Sequence, residues 1–162
     1  MSNPTFFDCW ASYGPRPGKD PDARWTLAEL LEDMGLYGIR AALVRHEQGL
    51  HYDAMFTNRR LLAEIASQRE RLHPCWTVMP HQTGEFPEPE SLGRQLGEAG
   101  VGAVLMAPQA HGYPVHGDVL SPLCEMLNER QVLVLATLGD LANDYGTAVT
   151  FCRLLRDCPV VL

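Results

Sequence analysis

No stretch of this 162-residue chain is apolar for the roughly 18 to 20 residues that a membrane-spanning helix needs. The start, Met1 to Asp8, lacks the charged opening and apolar middle of a secretory signal. Paired cysteines are also missing. Cys9, Cys75, Cys124, Cys152 and Cys158 are odd in number, widely spaced and never in a CxxC pair. That pattern fits reduced thiols better than a disulfide framework or a zinc knuckle, and it makes the cytoplasm the expected location. Cations are scarce: 13 Lys plus Arg stand against 20 Asp plus Glu, a formal charge of −7. Nucleic acids and anionic membranes require a cationic surface, so neither is an expected partner. A small-molecule substrate is expected instead, and homo-oligomerisation stays open. GxGxxG, Walker, HExxH and GxSxG patterns do not occur, nor does any Ser/His/Asp order.

What the chain does contain is a repeat of apolar runs. Phe6–Ala11, Ala41–Val44, Cys75–Met79, Ala103–Ala107, Val132–Ala136 and Pro159–Leu162 read as strands. They start roughly 27 to 35 residues apart, the size of one βα unit. Helical spacing fills the gaps. Leu27, Leu30, Leu31 and Met34 form one buried stripe, with Thr26 and Glu29 as a capping box and Gly35 and Gly38 as the stop. Met55, Leu62, Ile65 and Ala66 mark a second helix. Leu92, Leu96 and Ala99 mark a third, closed by Gly100. Ser121-Pro122 predicts the start of a fourth, and Ala148, Phe151, Cys152 and Leu155 mark a fifth.

Strands separated by helices pair in parallel. Two architectures accept this order, a doubly wound sheet and a closed (β/α)8 barrel. The missing glycine-rich phosphate loop after the first strand favours the barrel. A full TIM barrel takes about 250 residues, so the expectation is one α/β domain over 1–162, a barrel truncated after about five and a half βα units. A chain of that kind would expose apolar sheet edges and is expected to self-associate.

In parallel α/β folds, function gathers where strands run into helices. After the first strand come Asp8, Trp10 and Ser12, whose alternation predicts one shared face. Cys9 would face away as buried filler. The second strand leads into Arg45-His46-Glu47, the third into His81, the fourth into His111, and the fifth into Thr137 and Asp140. Histidine is the commonest metal ligand and an effective acid or base near neutral pH. Asp8, His81 and His111 are therefore the candidate catalytic groups. Trp10, Ser12, His46, Thr137 and Asp140 are the candidate substrate contacts. His51 and His73 are expected to be structural or solvated.

Several stretches together resemble the amidohydrolase-related family, metal-dependent TIM-barrel hydrolases that include aminocarboxymuconate-semialdehyde-decarboxylase-like proteins. They are Phe6 to Ser12, Leu27 to Gly35 followed by Ile39 to Val44, Asn58 to Leu62, Arg71 to Pro74, Gly100 to Pro108, Pro122 to Glu125 and Val132 to Thr137. The resemblance implies the N-terminal portion of such a barrel and a hydrolase or decarboxylase acting on a small carboxylated or carbonyl-containing molecule. It also implies a divalent metal, Zn²⁺. Its ligand motif is degenerate here: Trp10 and Ser12 stand in place of the His-x-His pair, and Thr137 in place of the fifth-strand histidine. Indole does not ligate zinc, and hydroxyls are poor ligands beside imidazole. A non-catalytic binding or assembly module is the alternative expectation.

Overall fold

The structure is a computed structural model and describes residues 5–18 and 24–162. The chain forms two compact units, Met1–Cys75 and Trp76–Leu162, with the boundary inside the third strand.

The first unit runs β1 (Phe6–Tyr13), α1 (Leu27–Leu36), β2 (Ile39–His46), a 3-10 turn at Glu47–Leu50, α2 (Ala54–Glu64) and the start of β3 (Leu72–Val78). β1 and β2 pair in parallel, as do β2 and β3. The predicted capping box opens α1. Thr26 Oγ1 accepts from the Glu29 N–H at 3.2 Å, and the Glu29 carboxylate accepts from the Thr26 N–H at 2.9 Å. Gly35 lies within the helix, so the stop belongs to Gly38 alone, whose φ of 70° is open to glycine without steric cost. Met34, Leu61, Ile65 and Leu72 are fully buried and centre the core.

The second unit continues with α3 (Pro89–Ala99), β4 (Ala103–Met106), α4 (Pro108–His111), α5 (Gly117–Glu129), β5 (Leu133–Leu135), α6 (Tyr145–Leu154) and β6 (Val160–Val161). β4, β5 and β6 pair in parallel in chain order. All four residues of β4 are buried, as a parallel strand covered on both faces requires. α3 closes at Gly100, which adopts φ 62° as expected.

Further sequence expectations are corrected in both units. α5 starts at Gly117, capped by His116 Nδ1, which accepts from the Asp118 N–H at 3.3 Å. Pro122 therefore lies inside the helix rather than at its first position. It deprives only the Asp118 carbonyl of a helical partner, and Asp118 is exposed enough for water to supply one. In the first unit, β1 does not alternate evenly. Its register pairs Asp8 with Ala42 and Ser12 with Arg45, with a shift between Asp8 and Ala11. One extra residue in β1 inverts the faces beyond it. Ala42 and Arg45 are three apart on β2, so Asp8 and Ser12 lie on opposite faces rather than the shared one. Cys9 is exposed, not buried filler.

Among the described residues, no helix is long and apolar enough to cross a membrane.

Candidate functional site

The strand ends of the first unit carry two side-chain clusters, one on each face. Register places Ser12 beside Arg45 on one face and Tyr13 beside His46 on the other.

The Ser12 face is charged and shielded. The Arg45 side chain is 10% exposed and that of Glu47 is 7% exposed. The Arg45 guanidinium lies 5.4 Å from the Trp10 ring centroid, over its face. Its Nη1 is 3.1 Å from Glu47 Oε1, a shielded ion pair. Arg45 Nε is shut from solvent and has no hydrogen-bond partner among the described residues. Arg16 reaches in from solvent: its Nη2 is 3.1 Å from Glu47 Oε1 and donates to Ser12 Oγ at 2.9 Å. Burial would raise the Glu47 carboxyl. The Ser12 hydroxyl bonded to it and the Arg45 and Arg16 charges overcome that and hold it below the usual carboxylate range. Behind Arg45, burial pushes the Cys75 thiol up to about 12 despite the nearby cation, so it stays neutral. Asp8, on the opposite side of the bulge, accepts the Trp10 N–H at 2.8 Å.

The Tyr13 face builds a cavity of about 440 Å³ lined by Tyr13, Gly14, Trp25, His46, Arg60 and Glu64. Gly14, with φ 102°, lets the imidazole of His46 lie against its backbone; a Cβ there would fall 2.6 Å from His46 Cε1. His46 Nδ1 accepts from the Gln48 N–H at 3.2 Å, which assigns the proton of the neutral ring to Nε2. Burial, reinforced by the Arg60 charge, lowers the His46 pKa. The Tyr13 hydroxyl donates to Glu64 at 2.7 Å, and Arg60 Nε donates to the other Glu64 oxygen at 2.7 Å. His46 thus belongs to the Tyr13 cavity and not to the cluster of Trp10 and Ser12. The residues that join Trp10 and Ser12 are Arg45 and Glu47. Their signal in the sequence is two charges with the same parity, flanking His46 at the end of an apolar strand.

The second unit treats its strand ends differently. His81 lies in a 3-10 turn after β3, with Nε2 3.3 Å from Glu88 Oε2 and Nδ1 buried without a hydrogen-bond partner among the described residues. His111 ends α4, its ring stacked on Tyr113 at 6.3 Å. Thr137 and Asp140 are brought together, but they bond to each other. Asp140 Oδ2 accepts from Thr137 Oγ1 at 2.7 Å and from the Thr137 N–H at 3.1 Å, and the Asp140 N–H donates back to Thr137 Oγ1 at 3.0 Å. This reciprocal pattern closes the turn after β5. Beside it, Tyr113, Gln109 and Asp140 line a cavity of about 430 Å³.

A zinc centre does not fit these residues. Among the described residues, no group of three or more His, Cys, Asp or Glu side chains is placed to hold one metal ion. The donors at the end of β1 are an indole and a hydroxyl already bonded to Arg16 and Glu47.

No family model and no curated protein sequence matches the chain. Solved structures do. An amidohydrolase II structure aligns with TM-score 0.68 at 14% identity, covering 95% of this chain and 65% of its own. A Staphylococcus aureus protein described as a candidate amidohydrolase aligns with TM-score 0.60 at 14% identity, covering 90% and 55%. A 2,6-dihydroxybenzoate decarboxylase, complexed with 2,6-dihydroxybenzoate, aligns with TM-score 0.56 at 15% identity, covering 84% and 50%. The chain therefore spans half to two thirds of the length of these structures and has the fold of part of a (β/α)8 barrel, as the order of its strands and helices predicts.

Proposed function

We propose that this chain belongs to a hydrolase or decarboxylase of a small carboxylated or carbonyl-containing molecule, with its chemistry at the C-terminal ends of the strands. The observation that carries this reading is the shielded Ser12–Arg45–Glu47 cluster. A fold of this type places its chemistry at that end, and a buried guanidinium without a full set of acceptors is costly unless something uses it. The compared structures, two named amidohydrolases and one decarboxylase holding an aromatic carboxylate, support the same class.

The residues divide by chemistry. Asp8 is a proton acceptor of carboxylate type, steadied by the Trp10 N–H. In the second unit, His81 and His111 are proton-transfer groups, and Glu88 orients His81. Trp10 and Ser12 contact substrate. His46, Thr137 and Asp140 support their own local structures and contribute to binding through the cavities beside them. No step is routed through a metal, because the donor set does not fit one. That misfit also favours the second reading, a binding module without catalysis.

The test is turnover of the purified full-length protein against a panel of small esters, amides and aromatic carboxylic acids, with metal content measured by elemental mass spectrometry. The expected result is ester or amide cleavage or CO₂ release that survives chelation, and that falls by about 10²-fold in Asp8→Asn, the scale of one general acid–base group. No turnover of any panel member, with ligand binding intact, would establish the binding module instead. Full activity in the His81→Ala/His111→Ala double variant would remove both histidines from the mechanism.

A further inference from the structure

The shielded cluster in the first unit has a particular imbalance. Glu47 accepts from Ser12 and pairs with both Arg16 and Arg45, so two guanidinium groups share one carboxylate. Of the two, Arg16 is 59% exposed and can draw on water. Arg45 cannot: its Nε is closed to solvent and has no hydrogen-bond acceptor among the described residues, and its Nη1 has only Glu47 Oε1, at 3.1 Å, which Arg16 shares. The neighbouring Cys75 thiol supplies no negative charge, because burial holds it neutral. Arg45 is therefore short of an acceptor. Its cover is Trp10, itself 36% exposed and so within reach of an incoming group.

We propose that Arg45, assisted by Arg16, is the receptor for the carboxylate of a small planar acid, and that Trp10 stacks on the acid's planar body. A guanidinium fork matches a carboxylate in two parallel hydrogen bonds, and an aromatic face accepts a flat ring. Glu47 then acts as the internal counter-ion that the ligand's carboxylate displaces from Arg45. This rests on the reading of a carboxylated substrate, but it makes a separate claim about which residue binds the carboxylate.

The experiment is titration of the full-length protein with benzoate, benzamide and cyclohexanecarboxylate, read by tryptophan fluorescence and calorimetry. Benzoate binds saturably. Benzamide, the neutral counterpart, binds at least tenfold more weakly, and cyclohexanecarboxylate binds severalfold more weakly because it cannot stack. Arg45→Met lowers benzoate affinity about 30-fold. Should that variant fail to fold, Arg45→Lys, which keeps the charge and loses the fork, lowers it about tenfold. Glu47→Gln strengthens benzoate binding severalfold by removing the competing internal carboxylate, an outcome that a purely structural ion pair does not produce. Equal binding of benzoate and benzamide, or unchanged benzoate affinity in both Arg45→Lys and Glu47→Gln, overturns the proposal. Ester or amide turnover persisting alongside that failure would leave the hydrolase reading standing and remove only the carboxylate receptor.

Discussion

The strand ends of the two units solve the same problem in opposite ways. After β5, Thr137 and Asp140 are three residues apart and satisfy each other. After β1 and β2, Ser12, Arg16, Arg45 and Glu47 meet from two different strands, and the set is left with more donors than acceptors. Polar residues whose partners lie within one turn are doing the work of the turn. Polar residues drawn together from distant positions and left unbalanced are the stronger functional candidates.

The sharpest way to break this comparison is to remove one member of the shielded pair. Arg45→Met leaves Glu47 buried with only the exposed Arg16, and unfolding in urea should show a loss of about 3 kcal/mol. The double variant Arg45→Met/Glu47→Leu should recover much of that, because no buried charge remains. If the single and double variants lose the same amount, the pair is not coupled as described.

A smaller effect is expected on the opposite face. Gly14→Ala forces a side chain into a left-handed backbone and against the His46 ring, and should cost about 2 kcal/mol by the same measurement. In the second unit, Thr137→Ala breaks only a local, solvent-accessible turn and should cost about 1 kcal/mol. A larger loss there than at Arg45 would reverse the contrast between the units.

The pH dependence separates the two faces of the first unit. The Glu47 carboxyl has a lowered pKa in the folded protein, so its contribution is present above the unfolded carboxyl pKa and is lost as pH falls through the folded one. The His46 pKa is also lowered, because the buried ring resists protonation. Below about pH 6.5 the unfolded chain takes up that proton more readily than the folded one, and stability declines. Stability measured from about pH 8 to about pH 2 should therefore fall in two stages. His46→Gln should flatten the first stage, and Glu47→Gln should remove part of the second, to which the lowered Glu64 carboxyl also contributes. A wild-type profile flat from pH 7 to pH 5 would contradict the burial assigned to His46.

These contrasts also explain what the sequence discloses. β3 and β4 are legible because parallel strands buried on both faces are nearly continuous apolar runs, β1 and β6 are apolar in composition although largely exposed, and the α1 cap is legible because Thr26 and Glu29 are three residues apart. The start of α5 is hidden because Pro122 sits comfortably at a first helical position and is tolerated further in. The faces of β1 are hidden because the register shift between Asp8 and Ala11 exists only against β2. Histidines draw attention to His46 by chemistry, whereas the pairing of Arg45 with Ser12, Trp10 and Glu47 depends on register and burial. Three histidines at successive strand ends suggest a metal centre, yet the described residues hold no group of three donors.

The central claim is that the unsatisfied guanidinium of Arg45 is a ligand site. Its most direct test is a crystal structure of the full-length protein soaked with benzoate. The expected result is a carboxylate bridging Arg45 and Arg16, with the benzoate ring against Trp10. A carboxylate bound instead beside Arg60 and His46, or an ordered water completing the donors of Arg45 with no benzoate near it, would contradict the account.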